Sequence, residues 1–362
     1  MRRLTVVLLL AAGLAPAGAG AELTLSGALR NETYVLGRAD GALVLDRLEN
    51  QLVLERRGDD WRFYADARVD AFAGAIDALV PPELATGLRF LDVRLLRAFV
   101  RYHSDLGDFT LGKTYANFGV PGVFNPFEID RNVYVTDLSY TKEGLVALTY
   151  ETALGPLSGL KAFVSPEAGR AEASGGLGVY GHVGTFDLGL VAQRLDRDAN
   201  LAGVYCKGDL EVGVQAAYAY HFQDDGGGGL SEANAGLDYS FWDGQIIVSA
   251  LGYYLEAPLP PVGNSLTAAG LGAVGTLSGF TAPYYVYASA LYVPDEFFQA
   301  RLDAFVNAED GSSLLIPGVT WVLSDGLSLT LELLVPTGTG GEQYARDTLG
   351  TVIGLARMEA KL

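Results

Sequence analysis

Cysteine is almost absent from this chain. Cys206 stands alone among 362 residues, so no internal disulfide framework exists, and no CxxC or CxxCH spacing offers a zinc, thioredoxin-like or covalent-haem signature. Charge is scarce at 19% and mostly acidic, with 25 Lys and Arg against 43 Asp and Glu for a formal net charge of −18, which does not suit a nucleic-acid surface. The 49% hydrophobic content excludes intrinsic disorder. Beyond residue 21 no apolar run approaches the roughly 18 residues that a helical membrane span requires. Only three histidines occur, His103, His182 and His221, scattered along the chain with none at i, i+2 or i, i+4 from another histidine or from Cys206, so neither a metal site nor a cofactor is expected.

What the chain has first is an address. Arg2 and Arg3, the apolar stretch Leu4 to Leu14 and the A-x-A site at Ala19-Gly20-Ala21 predict a signal peptide over residues 1–21. Its removal from 362 leaves 341 residues and a charge of −20, enough for one large domain over 22–362.

That domain is written in period-two alternation, the mark of strands. Trp61, Phe63, Ala65, Ala67, Val69 and Ala71 share one face while Arg62, Tyr64, Asp66, Arg68 and Asp70 share the other. Leu210 to Phe222 and Leu327 to Val335 alternate in the same way, and the chain ends on such a strand, Gly354 to Leu362. Segments of about 9–11 residues suit a tilted strand crossing a bilayer. Short polar connections at 58–60, 106–108, 155–157, 207–209, 242–244 and 324–326 intersperse with long ones at 36–44, 73–91, 115–143, 165–173, 223–231, 257–282 and 336–347. Short turns on one side and long loops on the other predict an all-β, transmembrane antiparallel barrel of about 18 strands, with periplasmic turns and extracellular loops. The ambiguous segment Leu266 to Leu277 leaves 16 as the alternative. A soluble sandwich also alternates, but it would carry many more exposed charges. The expected location is therefore a bacterial outer membrane, reached through the barrel-assembly machinery that reads a C-terminal strand. Lipid and lipopolysaccharide are the expected surroundings, and monomer and homo-oligomer both stay open.

A barrel this wide is not filled by its own side chains, so it encloses water. The polar sides of the early strands place Arg30, Arg47, Glu49, Arg57, Arg62, Asp66, Arg68, Asp70, Arg97 and Arg101 toward that lumen. Twelve basic residues fall within 30–113, about half the mature total. Two readings follow: a cross-strand salt-bridge ladder that stiffens the wall, and a basic strip that attracts anionic solutes. Acidic residues such as Asp224, Asp225, Glu232, Asp295, Glu309 and Asp310 are expected in or beside loops and turns.

Opposite the strip, residues 115–143 between the fifth and sixth strands are the candidate constriction, with Glu128, Asp130 and Asp137 facing the arginines if the loop folds inward. The passage from Gly112-Lys113 through Phe118-Gly119 and Asn125-Pro126 to Glu128 resembles one in monomeric outer-membrane channels related to alginate-export porins, with Phe118 for a Trp and Glu128 for an Asp. The resemblance implies a porin, a passive diffusion channel for small hydrophilic solutes, anionic ones included. Two other classes compete. An empty sheath around a partner such as a multihaem cytochrome needs the same barrel without a narrowing loop. A hydrolase needs a nucleophile beside a base, and His103-Ser104 are adjacent strand residues that point to opposite faces, so no enzyme is expected.

Overall fold

The computed structural model describes residues 22–38, 41–74, 91–120, 123–127, 143–166, 173–196, 199–222, 229–256, 282–340, 342–346 and 352–362. They form eighteen strands: β1 (Glu22–Arg38), β2 (Gly41–Arg57), β3 (Trp61–Gly74), β4 (Leu91–Ser104), β5 (Gly107–Thr114), β6 (Leu145–Gly155), β7 (Ser158–Ser165), β8 (Ser174–Val183), β9 (Phe186–Asp196), β10 (Ala199–Asp209), β11 (Gly213–Phe222), β12 (Leu230–Phe241), β13 (Ile246–Leu255), β14 (Tyr284–Tyr292), β15 (Phe298–Asn307), β16 (Ser313–Ser324), β17 (Leu327–Pro336) and β18 (Val352–Lys361). Each pairs antiparallel with its sequence neighbours, and β18 closes the sheet on β1 with Ala28 opposite Lys361 and Gly37 opposite Val352. Gly27 and Leu362 also exchange backbone hydrogen bonds of 3.3 and 2.9 Å. Closure leaves no unpaired edge, the condition for sheet to stand in lipid. The strand number is 18; Leu266 to Leu277 lies outside the described residues.

Short turns and longer connections fall on opposite ends, as the alternation predicts, with local differences. The expected loop at 36–44 is strand for most of its length, because β1 and β2 each run 17 residues and leave only 39–40 between them. The turn expected at 207–209 belongs to β10, and 210–212 make the turn instead. Two further short turns lie at Gly184-Thr185 and 293–297. At Trp242-Asp243-Gly244 all three φ angles are positive, 51°, 54° and 89°, a tight reversal that only the glycine adopts without strain.

The two faces of the wall separate cleanly. Leu23, Leu25, Leu48, Leu52, Leu190 and Leu333 are exposed on one face. On the other, the run of neighbouring strands from β13 through β18 to β2 contributes Tyr34, Leu45, Leu251, Phe305, Leu334 and Leu355 to one buried cluster. Tyr218, Tyr220, Phe222, Tyr239, Phe241 and Trp242 stand exposed on β11, β12 and the turn after it, where aromatic girdles of a bilayer-facing barrel lie. No described helix is long and apolar enough to cross a membrane.

Candidate functional site

From β18 round to β4 the inner face carries one ion-pair network. Arg30 Nε donates to Glu359 at 2.6 Å and its Nη1 to Glu49 at 2.5 Å. Glu49 also receives Arg47 at 3.0 Å and Arg68 at 3.1 Å. Asp70 receives Arg47 and Arg68 at 3.0 Å and Arg94 at 2.6 Å, while Glu32 takes Arg47 at 3.2 Å and Arg357 at 2.7 Å. Arg94 further pairs with Asp92. Arg30, Arg47, Arg68, Arg94 and Arg357 thus meet Glu32, Glu49, Asp70, Asp92 and Glu359, and the formal charges cancel. Arg47 and Arg68 are 2% and 1% exposed and Asp70 0%. Removing one member of such a buried set strands its partner, which costs about 3–5 kcal/mol.

The more accessible cations lie at the ends of this network. Arg62 sits 2.8 Å from Glu55, which Arg57 also contacts, and its guanidinium lies over the Tyr64 ring. Arg101 is exposed and donates to the Thr110 hydroxyl at 3.2 Å. Arg97 reaches Asp66 at 3.0 Å, and Gln51 also donates to Asp66, at 2.8 Å. Farther round, Arg301 bonds Glu332 and approaches Asp303 at 3.6 Å, with 40% of its side chain exposed. Lys161 on β7 shares the inner face with Phe163.

The sequence missed Asp92 and Arg94 because β4 is bulged. Asp66 opposes Arg97 while Ala67 opposes Leu95, so Leu96 is an extra residue that shifts the parity of the strand. Arg94 and Arg97 both point inward as a result, where strict alternation sends them to opposite faces. The signal for Glu32, Glu359 and Arg357 was present in their alternation, but only closure brings β18 beside β1. Glu232, expected in or beside a loop, is the third residue of β12 and is buried, bonded to His221 and to the Tyr253 hydroxyl at 2.8 and 2.9 Å.

The connection after β5 packs on the other arc of the inner face. Phe118 lies 5.7 Å from the Phe163 ring. Phe124 stacks on Tyr253 at 4.5 Å and meets Phe305 edge-on, and Phe127 packs near Tyr205. Gln193 donates to the Phe127 carbonyl at 2.8 Å, and Asn234 donates to that of Phe124. Asn125 shapes the loop from within, donating to the Phe118 carbonyl at 2.8 Å and accepting from Phe127 N–H at 3.1 Å. Glycines on the wall make the seat: a Cβ on Gly178 would stand 2.6 Å from the Phe118 ring, and one on Gly203 2.7 Å from Phe127. The loop therefore reaches from β5 to β15. Glu128, Asp130 and Asp137 lie outside the described residues.

A second connection is tied down beside it. Tyr344 is fully buried in the same apolar cluster as Phe124. Gln343 Oε1 accepts from the Tyr285 hydroxyl at 2.6 Å and from Asn307 at 3.0 Å, and its backbone N–H donates to Asp310 at 2.8 Å. Partial burial alone would raise the Asp310 carboxyl, but the Gln343 N–H together with the hydroxyl and N–H of Ser312 hold it below the usual carboxylate range. Burial pushes the Tyr344 hydroxyl well up.

No protein-family model and no curated protein sequence matches this chain. Solved structures do. Acinetobacter baumannii OccAB4 is similar over 94% of this chain and 97% of its own, with 10% identity and a TM-score of 0.63. Pseudomonas aeruginosa OprD is similar over 94% of both chains at 11% identity and 0.61, and P. aeruginosa OccK3 over 94% and 96% at 11% and 0.61. The shared feature is the fold, the closed β-barrel of these outer-membrane channels. These structures do not bear on the narrower motif likeness to alginate-export porins.

Proposed function

We propose that the chain is a passive diffusion channel for small hydrophilic solutes, biased toward anionic ones. The observation that carries this is the division of the inner face: an aromatic loop seated on the β7 to β15 arc, opposite a charged arc from β15 through β18 to β4. Such a loop leaves a passage with one charged wall. Most of that charge is self-cancelled, so the bias rests on Arg62, Arg97 and Arg101, which retain access to the lumen, rather than on buried Arg47 and Arg68. Ordered cations beside a low-dielectric wall act on a passing carboxylate or phosphate by field alone. No covalent step is involved.

The sheath alternative is disfavoured by the same loop, which takes space that an enclosed partner would need. A hydrolase is disfavoured too: His103 and His182 bond Asp108 and Asp187 at the exposed short-turn end, away from any paired nucleophile among the described residues. The test is single-channel conductance with reversal potential in a planar bilayer under a salt gradient. Discrete open steps with anion preference are expected, and a barrel that never conducts would reject the channel.

A further inference from the structure

Beneath the inward loop the lumen wall carries a repeating row. Gly159 on β7 opposes Tyr180 on β8, Tyr180 opposes Gly189 on β9, and Gly189 opposes Tyr205 on β10. Gly178 and Gly203, the seats of Phe118 and Phe127, lie two residues from Tyr180 and Tyr205 on the same strands, and residues i and i+2 of a strand share a face. The row therefore faces the lumen. Both tyrosines lie on the short-turn side of those seats, so the row runs directly under the loop, and Phe127 approaches the Tyr205 ring at 6.1 Å.

Each tyrosine ring lies down over its neighbouring glycine. A Cβ on Gly159 would stand 2.5 Å from Tyr180 Cζ, and one on Gly189 would stand 2.5 Å from the Tyr205 hydroxyl oxygen. The phenol ends thus fill the space in which a side chain of the next strand would stand. A ring laid along the wall rests one face on backbone and turns the other to the lumen, and Tyr180 retains 37% exposure. The two platforms are two strands apart, about 10 Å.

Their polar border alternates in sign. Glu151 opposes Lys161, which lies two residues above Gly159, and accepts from the Tyr180 hydroxyl at 3.4 Å. Lys207 lies two residues below Tyr205 and opposes Asp187, which bonds His182 at 2.9 Å. Neither lysine makes a hydrogen bond or ion pair with another described residue, so both ammonium groups keep their donors for a solute.

An anion on these platforms would meet Glu151 and Asp187, and a cation would meet the two lysines. Hydroxyls both donate and accept, and satisfy either neighbour. The C–H face of a pyranose presents positive charge to the negative face of an aromatic ring and covers apolar area otherwise left in water. Resting on the reading of the barrel as a channel for hydrophilic solutes, we propose that this row is a saccharide-binding subsite. Pyranose rings stack on Tyr180 and Tyr205, and their hydroxyls bond Glu151, Lys161 and Lys207.

Calorimetric titration of the refolded full chain in detergent with maltotriose, and with the linear polyol sorbitol beside it, tests the subsite. Blockade of single-channel current by maltotriose reads the same event in a bilayer. Maltotriose is expected to bind, and sorbitol, which has hydroxyls but no ring face, is not. Tyr180→Ala should weaken maltotriose binding by about tenfold or more in a barrel that still conducts salt, whereas Tyr180→Phe keeps the face and should bind like the parent. If Tyr180→Ala does not refold, Gly189→Ala tips the Tyr205 ring off the wall and should weaken binding likewise. Binding unaffected by these changes, equal binding of sorbitol, or no binding by a barrel that conducts salt would each overturn the subsite. Maltotriose binding by a barrel that never conducts would uphold the subsite and reject the channel instead.

Discussion

The Arg97 guanidinium lies between two tyrosine rings, 4.7 Å from the centroid of Tyr64 on β3 and 5.1 Å from that of Tyr115, the first residue beyond β5. Asp66 holds it from the side at 3.0 Å. One side chain therefore joins the charged arc to the root of the inward loop, and charge and loop position are coupled through it. Planar stacking and a forked donor set suit arginine and not lysine.

If Arg97 acts as a clamp, Arg97→Lys should behave like Arg97→Gln. Both should give noisier open-channel currents as the loop root loosens. Were Arg97 only a charge, the lysine variant would keep the parent reversal potential and a quiet trace.

Neutralising Arg62 and Arg101 together should move the reversal potential toward cation preference, with barrel stability altered by less than about 1 kcal/mol because both are exposed or half-exposed. Arg68→Gln should instead destabilise the barrel by about 3–5 kcal/mol, leaving Glu49 and Asp70 short of a partner. Urea unfolding in vesicles read beside conductance separates these effects, and equal selectivity shifts from both sets would contradict the split.

Phe124→Ala removes the ring stacked on Tyr253. A buried phenyl lost in this way costs about 3–5 kcal/mol locally, so the loop should leave its seat and conductance should rise. Gly178→Val reaches the same end from the wall side, by displacing Phe118. Unchanged conductance in both would mean that the loop does not narrow the passage.

The Asp310 carboxyl is held below its ordinary range, so its bonds to Gln343 and Ser312 contribute stability above the unfolded carboxylate range, and that contribution is lost as pH falls through the lowered value. Acidification should free the segment 342–346 before the barrel unfolds. The protection factor of the Gln343 amide, its exchange rate taken relative to the intrinsic rate at the same pH, should fall at low pH in the parent and be already low at neutral pH in Asp310→Asn.

Much of this was legible in sequence because a barrel wall has a simple grammar. Alternation in Trp61 to Ala71 gave both faces of β3, and the rhythm of turns gave the strand count. Legibility failed where one residue breaks the period: Leu96 reverses the parity of β4, and no local composition announces it. It failed as well where the partner is remote. The glycines at 178 and 203 read as weak strand positions until Phe118 and Phe127 lie on them, and Arg357 reads as an ordinary polar residue until closure sets it beside Glu32.

That closure has a consequence for biogenesis. Arg30 bonds Glu359 across 329 residues of chain, and Arg357 bonds Glu32 across 325. The first strand therefore carries charges whose pairing, begun by Glu49 and Arg47 on β2, is completed by the last strand. A chain cut short before β18, or joined out of register, would leave Arg30 without Glu359 and Glu32 without Arg357, so the seam works as a proofreading device that favours the correctly closed barrel.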